Sequence, residues 1–516
     1  TYDSDIINCK LENAMKLLFR LIIVTVVLAV VAAYFYFKDG ERYKADLEIY
    51  LSETSDYQIK VNGEIQWHIW PTLGLSATNI SATDSAEKIQ VGELKLSAQF
   101  GNIFSALDTW QIHQFVLQDV RIESEGSQMI VNRLEIKDFR PNEASPFSMD
   151  LAYVAAEPNA SKDTLSLQGQ VTFTQLDPTD DKHSARVRFA QTQLTSTYAS
   201  GLCSGEITDN KVQSSATSVD TDLIPVADIL AFDAEFSCEL SEVHAGGYIL
   251  KNGKLALSQI AGKSKMSLSF AEFFGGTLQT TSSIDVNSSP IPWTISFSGA
   301  DIDSRKLFAL TNSKLNWQAP LSVEGSFEML GNTEQALAKS VMGEAKLDGG
   351  QGSIDVSQIK QALIVINQLA AADQPVEELP DQLQYNNLQA EWTIIGPANT
   401  LALDLDNLRA SAAGSIQFLE DNLSLTGEAV VQTPKPGQQI KLTPVLMNAA
   451  IPFKCKGKLE EPSCTPDTSA VGKLLLQVLK NSQQDKVKDK IDEVIEEQVP
   501  EQFKEAAKQL LKLFGR

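Results

Sequence analysis

Residues able to act as nucleophiles, general bases or metal ligands are sparse in this chain. There are four histidines, His68, His113, His183 and His244, widely separated along 516 residues. None forms the His-Glu-x-x-His spacing that puts two imidazoles on one helix face for zinc. No P-loop and no Gly-x-Ser-x-Gly is present. The stretch GLCSG at 201–205 imitates a nucleophile elbow with Cys203 in the reactive position. An elbow needs a helix directly after it, whereas the sequence here continues as Ser-rich, strand-like chain. The acidic runs TDD at 179–181 and DLDN at 404–407 read as solvated turns rather than calcium loops. The expectation is a protein that is not an enzyme and holds no cofactor or metal.

The five cysteines point to a compartment instead. Cys9 stands apart, and Cys203, Cys238, Cys455 and Cys464 follow an apolar segment at 21–37. An even number on one side of that segment fits an oxidising space, and no Cys-x-x-Cys favours zinc or thiol redox chemistry. Four cysteines allow three pairings. The favoured one is Cys203–Cys238 with Cys455–Cys464, the second clipping a tight loop; free thiols are the alternative.

Composition excludes other classes. Hydrophobic residues make up 43% and charged residues 21%, which is not the signature of disorder. The formal net charge of -23 opposes binding to nucleic acid and electrostatic adhesion to anionic lipid.

The elements that must carry any function are of two kinds. The first is the run MKLLFRLIIVTVVLAVVAAYFYFKDGERYK at 15–44, uncharged from Leu21 to Phe37. With Arg20 snorkelling outward, 17–37 makes roughly 30 Å of helix, enough to span a bilayer, with Tyr34 and Tyr36 at headgroup level. A cleaved signal peptide is the alternative, but the run lacks a small-x-small cleavage site. Basic residues flank it almost equally, so charge leaves the orientation tied. The expectation is a transmembrane anchor at 15–38 behind a short segment at 1–14.

The second kind is β-strand. From about Ile65 to Leu459 the dominant period is two. Leu165, Leu167, Val171 and Phe173 alternate with Ser, Gln and Thr; Trp293, Ile295 and Phe297 do the same, as do Leu321, Val323 and Phe327. Turn residues separate the runs. Consecutive hairpins of this kind build a large antiparallel sheet with one dry face, which must be covered. The cover is either an opposing layer, as in a β-sandwich, or an occupant of a partly open trough. Fifteen exposed apolar side chains would cost on the order of 15 kcal/mol in water, so an open trough must be narrow or filled. Acyl chains are suitable fillers. In GEIQWHIWPTLGL at 63–75, Ile65, Trp67 and Ile69 share one face and Gln66, His68 and Trp70 the other, facing either the trough or a helix at 44–54. Helical spacing marks two intervals, 357–372 and the tail at 468–516. In the tail Leu475, Val478, Leu479, Ile491, Val494 and Ile495 recur, and after Pro500 the residues Phe503, Ala507, Leu510, Leu511 and Phe514 form an apolar face. This tail either lies on a membrane, plugs one end of the sheet, or packs on its edge.

Several of these stretches, in order, resemble the AsmA family: the anchor beginning MKLLFRL, then VNGEIQWHIWPTLGLSATNISATD, SFAEFFGGTLQTTSSIDV at 269–286, GEAKLDGGQGSIDVSQIKQALIVINQL at 343–369, and AAIPFKCKGKLEEPSCTPD at 449–467. The similarity spans nearly the whole chain up to the tail. The resemblance implies a Gram-negative inner-membrane protein with its bulk in the periplasm and a curled β-sheet with a hydrophobic inner groove. It also implies a role in outer-membrane biogenesis, guiding phospholipid between membranes. On that basis the chain is mainly β: anchor at 15–38, an N-terminal β region at 39–200, a C-terminal β region at 201–467, and an amphipathic helical tail at 468–516. Groove candidates are Leu165, Leu167, Val171, Phe173, Trp293, Ile295, Phe297, Leu321, Val323 and Phe327. Expected partners are phospholipid or another acyl-chain lipid, the inner membrane through 17–37, and the outer membrane or envelope assembly proteins through the tail. The alternative role is a non-enzymatic periplasmic scaffold affecting outer-membrane protein or lipopolysaccharide assembly.

Overall fold

The structure is a computed structural model that describes residues 44–467, except 55–56, 69–72, 84–86, 99–110, 125–126, 155–161, 177–182, 211–221, 246, 311–315, 357–359, 361–380, 437, 439, 441–446 and 460–461. The expected anchor at 15–38, the segment 1–14, most of the helix expected at 357–372 and the tail at 468–516 lie outside the described residues. Among the described residues no helix is long and apolar enough to cross a membrane.

The chain is mainly β, with antiparallel pairing throughout and few helices. It divides within one strand into two compact units, Thr1–Thr208 and Asp209–Arg516. In the first, helix α1 (Lys44–Thr54) precedes β1 (Gln58–Val61), β2 (Ile65–His68), β3 (Leu73–Thr83), β4 (Glu87–Ala98), β5 (Ile112–Ser124), β6 (Ser127–Phe139), β7 (Ser145–Val154), β8 (Lys162–Gln175), β9 (His183–Ser196) and β10 (Ala199–Asn210). Strands β3 to β9 each pair with the next, and β1 and β2 both pair with β3.

In the second unit, α2 (Val226–Ala231) leads into β11 (Phe232–Ala245), β12 (Tyr248–Ile260), β13 (Lys263–Phe273), β14 (Gly276–Asp285) and β15 (Pro292–Asp303). Then come α3 (Ser304–Leu310), β16 (Trp317–Gln318), β17 (Pro320–Leu330), α4 (Glu334–Ser340), β18 (Met342–Asp348), β19 (Gly352–Asp355) and β20 (Gln382–Tyr385). The series closes with β21 (Leu388–Ile395), β22 (Ala398–Leu405), β23 (Leu408–Gln417), β24 (Asn422–Val431), β25 (Ala450–Gly457) and β26 (Pro462–Pro466). The main meander passes from β15 to β17 to β18 to β21. The three strands it skips, β16, β19 and β20, form a separate small sheet.

Local sequence explains the hairpins. The turns at Ala261–Gly262 and Phe274–Gly275 have positive φ at both central residues, 49° and 76°, and 52° and 92°. That is the two-residue turn whose twist matches the strands it joins.

Both ends of the strand series are blunted. Outward-pointing amides of β1 are taken by α1: Val61 N–H donates to Glu48 Oε1 at 2.7 Å and Ile59 N–H to Ser52 Oγ at 2.9 Å. At β26, Asp467 N–H donates inward to Pro452 O at 2.9 Å. Backbone groups alternate, so 462, 464 and 466 face away from β25, and two of these are prolines without a donor. An edge so poor in donors is a weak template for another strand. The Cys455–Cys464 disulfide ties the last strand to β25 at directly opposed positions.

Candidate functional site

Polar chemistry is dispersed among the described residues. No group of three His, Cys, Asp or Glu side chains is placed to hold a metal. His113 Nδ1 lies 2.8 Å from Asp138 and His244 Nε2 lies 3.9 Å from Glu242, both exposed. Cys203 and Cys238 are disulfide-bonded, so the sulfur of GLCSG is occupied.

What the strands do assemble is apolar. In the first unit one register row runs Ala77, Leu94, Leu117, Leu134, Met149, Leu167, Leu194 across seven strands. The adjacent row on the opposite face reads Thr78, Glu93, Gln118, Arg133, Asp150, Ser166, Thr195. From Leu94 to Leu194 the apolar row is half-buried. Neighbouring rows hold Leu165, paired with Leu151, and Val171, which is buried. Phe173 lies 6.3 Å, ring to ring, from Phe139.

The opposite face of this unit carries a charged network. Glu135 accepts from Gln114 at 2.7 Å and from Arg133 at 3.0 Å, with Lys137 3.6 Å away. The Gln114 hydrogen bond leads, and with the Arg133 guanidinium it holds the Glu135 carboxyl below the usual range against the opposing effect of burial. Val116, directly opposite Glu135 on one side and Lys95 on the other, is 2% exposed although it points to the polar face.

In the second unit a longer row crosses twelve strands, from Cys238 through Leu255, Leu268, Phe297, Trp392 and Leu401 to Phe453, with Thr, Ala or Gly between. At about 4.8 Å per strand this row is about 53 Å long. A parallel row includes Leu257, Met266, Ile295 and Phe327, of which Met266 is 44% and Ile295 36% exposed. These rows are bounded at both strand ends. At one end the small sheet, α3 and the buried residues Ile302, Leu321, Leu383, Tyr385 and Val431 form the main core. Trp317 Nε1 donates there to Tyr385 Oη at 2.5 Å, and burial pushes the Tyr385 phenol up. Register shifts between Phe270 and Phe273, and between Gly299 and Ile302, turn Phe273 and Ile302 into that core. At the other end the segment before β11 is strapped down. Leu223 N–H donates to Asn332 O, Asn332 exchanges two side-chain bonds with the Ile224 backbone, and Gln259 Nε2 donates to Ile229 O and Phe232 O. Among the described residues, then, cover over this face is concentrated at the strand ends. Two rows between them, about 13 Å along the strands, hold half-buried or exposed side chains from β11 to β18; beyond β18 Ile394, Ala412, Leu425 and Cys455 on these rows are buried, the last three in a second core cluster with Leu423.

The six candidates on β15 and β17 come together: Ile295 opposes Phe327, Phe297 opposes Gly325, and Gly299 opposes Val323. They differ in setting. Leu321, opposite Ile302, is fully buried in the core and Val323 packs against it. Trp293 donates its indole N–H to Gly331 O at 2.8 Å near the strapped end. Ile295, Phe297 and Phe327 lie on the half-buried rows. The alternation identified all of them, but not which rows the strand-end covers would claim. Trp392 and Leu401, on the same row as Phe297, belong with the candidates; Leu401 was visible in the alternating stretch LALDL. Shallow depressions of about 500 and 400 Å³ mark the opposite, polar face, lined chiefly by Ser, Thr, Gln and charged side chains of β12–β18. They contain no buried ionisable group and suggest no chemistry.

Of the stretch at 63–75, Ile65 is buried with Val61 and Ala77, Trp67 is half-buried, and Gln66 and His68 are exposed. Helix α1 stands beside β1, where Lys44 Nζ also donates to Gly63 O at 2.9 Å. Residues 69–72 lie outside the described residues.

Compared with protein-family models, curated proteins and solved structures, the chain matches none.

Proposed function

We propose that this chain is an AsmA-like envelope protein that carries or guides phospholipid between inner and outer membranes along a groove on the apolar face of its sheet. Residues 15–38 anchor it in the inner membrane, and its bulk lies in the periplasm. The observation that carries this reading is the half-buried state of apolar rows in both units: Leu94 to Leu194 strand after strand in the first, and Leu255, Leu257, Leu268, Phe297 and Phe327, with small or polar residues between, in the second. A sandwich would bury those rows under a second layer. Acyl chains would complete the burial at roughly 0.8 kcal/mol per CH₂. The disulfides suit an oxidising compartment. No catalytic residue is required.

A second reading, a scaffold for outer-membrane protein or lipopolysaccharide assembly, draws support from apolar side chains at strand ends of the second unit: Ile395, Leu419 and Phe418 are 67%, 53% and 43% exposed. A photoreactive residue placed at Leu167 or Phe327 in the membrane-embedded protein separates the two. Phospholipid adducts at both positions are expected. Adducts to protein alone, with no lipid, would replace the conduit by the scaffold.

A further inference from the structure

Four phenylalanines on the apolar face of the second unit stand directly across from a glycine on the neighbouring strand: Phe270 from Gly253, Phe297 from Gly325, Phe327 from Gly343 and Phe453 from Gly427. In each pair a ring atom lies 2.6 or 2.7 Å from the point where a Cβ on the glycine would stand. No real Cβ tolerates that approach, since carbon atoms rest about 3.5–4.0 Å apart. The rings therefore tip sideways over the partner strand. Opposite any other residue the same ring would have to stand up from the sheet. Tipped rings lower the surface, and Phe297 and Phe327 do so on adjacent strands, their centroids 6.1 Å apart; the Phe327 ring, reaching over Gly343 of β18, lies 5.5 Å from that of Trp392 on β21.

We propose that these phenylalanine–glycine pairs set the depth of the acyl-chain site, making room for unbranched, flexible chains that run across the strands along the register row. This inference rests on the lipid-carrying reading. Direction follows from dimensions. The uncovered width along the strands is about 13 Å, whereas the two uncovered rows run for about 29 Å across the seven main-sheet strands from β11 to β18, so a long chain fits only along the rows. The fused rings of a rigid sterol-like molecule need a deeper and wider cavity than a two-row floor provides.

The test uses the full-length protein in lipid nanodiscs with a phosphatidylethanolamine carrying a photoreactive group in its acyl chain. Adducts are counted by mass spectrometry at Leu401 and Trp392, and amide exchange in β15 and β17 monitors folding. Gly325→Ala meets Phe297 at 2.6 Å and forces its ring upward. Loss of roughly two CH₂ groups of contact lowers loading about tenfold. Adding Phe297→Ala removes the raised ring and restores loading, although the double variant is less stable than the single one. Three results overturn the proposal. Undiminished loading of Gly325→Ala with native exchange means that depth is not set here. Reduced loading that Phe297→Ala fails to restore means that the pair only supports the sheet. A wild-type protein without adducts on this face sinks the lipid-carrying reading itself, and the depth inference with it.

Discussion

Strands β15 and β17 contain an internal comparison between a filled and an unfilled part of the same face. Leu321 is 0% exposed and opposes Ile302 at 1%, inside the core; Ile295, four register pairs beyond Gly299, is 36% exposed and opposes Phe327. Truncation to alanine removes three carbons at either site. At Leu321 the lost transfer energy is about 2.4 kcal/mol, and the cavity left behind raises the total to about 3–5 kcal/mol. At Ile295 about two thirds of the transfer energy applies, ~1.5 kcal/mol, and no cavity forms where space already adjoins the side chain. Loss of strand propensity adds roughly 0.5 kcal/mol to both. The difference of about 2 kcal/mol corresponds to roughly thirtyfold in the opening equilibrium. Native-state amide exchange in β15 and β17, read by mass spectrometry on the lipid-free protein, measures it without assuming that the two units unfold together. Equal costs near 4 kcal/mol for Leu321→Ala and Ile295→Ala would refute the reasoning, because Ile295 would then be as tightly packed as Leu321 and the face would be full.

The Glu135 network predicts an acid-sensitive first unit. Its carboxyl is held below the usual value, so its contribution to stability is complete above the unfolded-state pKa of about 4.3 and is lost as pH falls through the folded-state value. Thermal midpoints measured between pH 6 and pH 3 should therefore drop less steeply in Glu135→Gln than in wild type; parallel curves would assign the acid response to other carboxylates. At the first edge, Glu48→Ala with Ser52→Ala leaves the outward amides of Ile59 and Val61 without acceptors. Exchange at those two amides should accelerate roughly tenfold while β4 and β5 remain unchanged. Unaltered exchange would mean that α1 does not guard the edge.

The β character of this chain was legible because alternation is a local property. The stretch NLSLTGEAVV coincides with β24, WTISFSG and LSVEGSFEM fall within β15 and β17, and LSLQGQVTFTQL lies in β8 but for its last residue, Leu176. Each strand declares its own dry side, so Ile295, Phe297 and Phe327 were correctly placed on one face without reference to any partner. Strand β1 escaped notice because QIKV is too short for its period to register, and β16, β19 and β20 because two- and four-residue strands acquire their identity only by pairing.

What the sequence determined by itself was therefore the period, the turns and the sidedness of each strand, all set by neighbours one to four positions away. Tertiary structure alone decided which residues oppose which, since a register joins positions far apart in the chain. It matched Phe297 to Gly325 and Phe453 to Gly427, drew Leu321 into the core while leaving Ile295 half-exposed, and fastened residues 223–224 to Asn332, more than 100 positions away. Alternation supplies an apolar face; the long-range geometry of strand ends, bulges and opposed pairs determines how much of that face is covered.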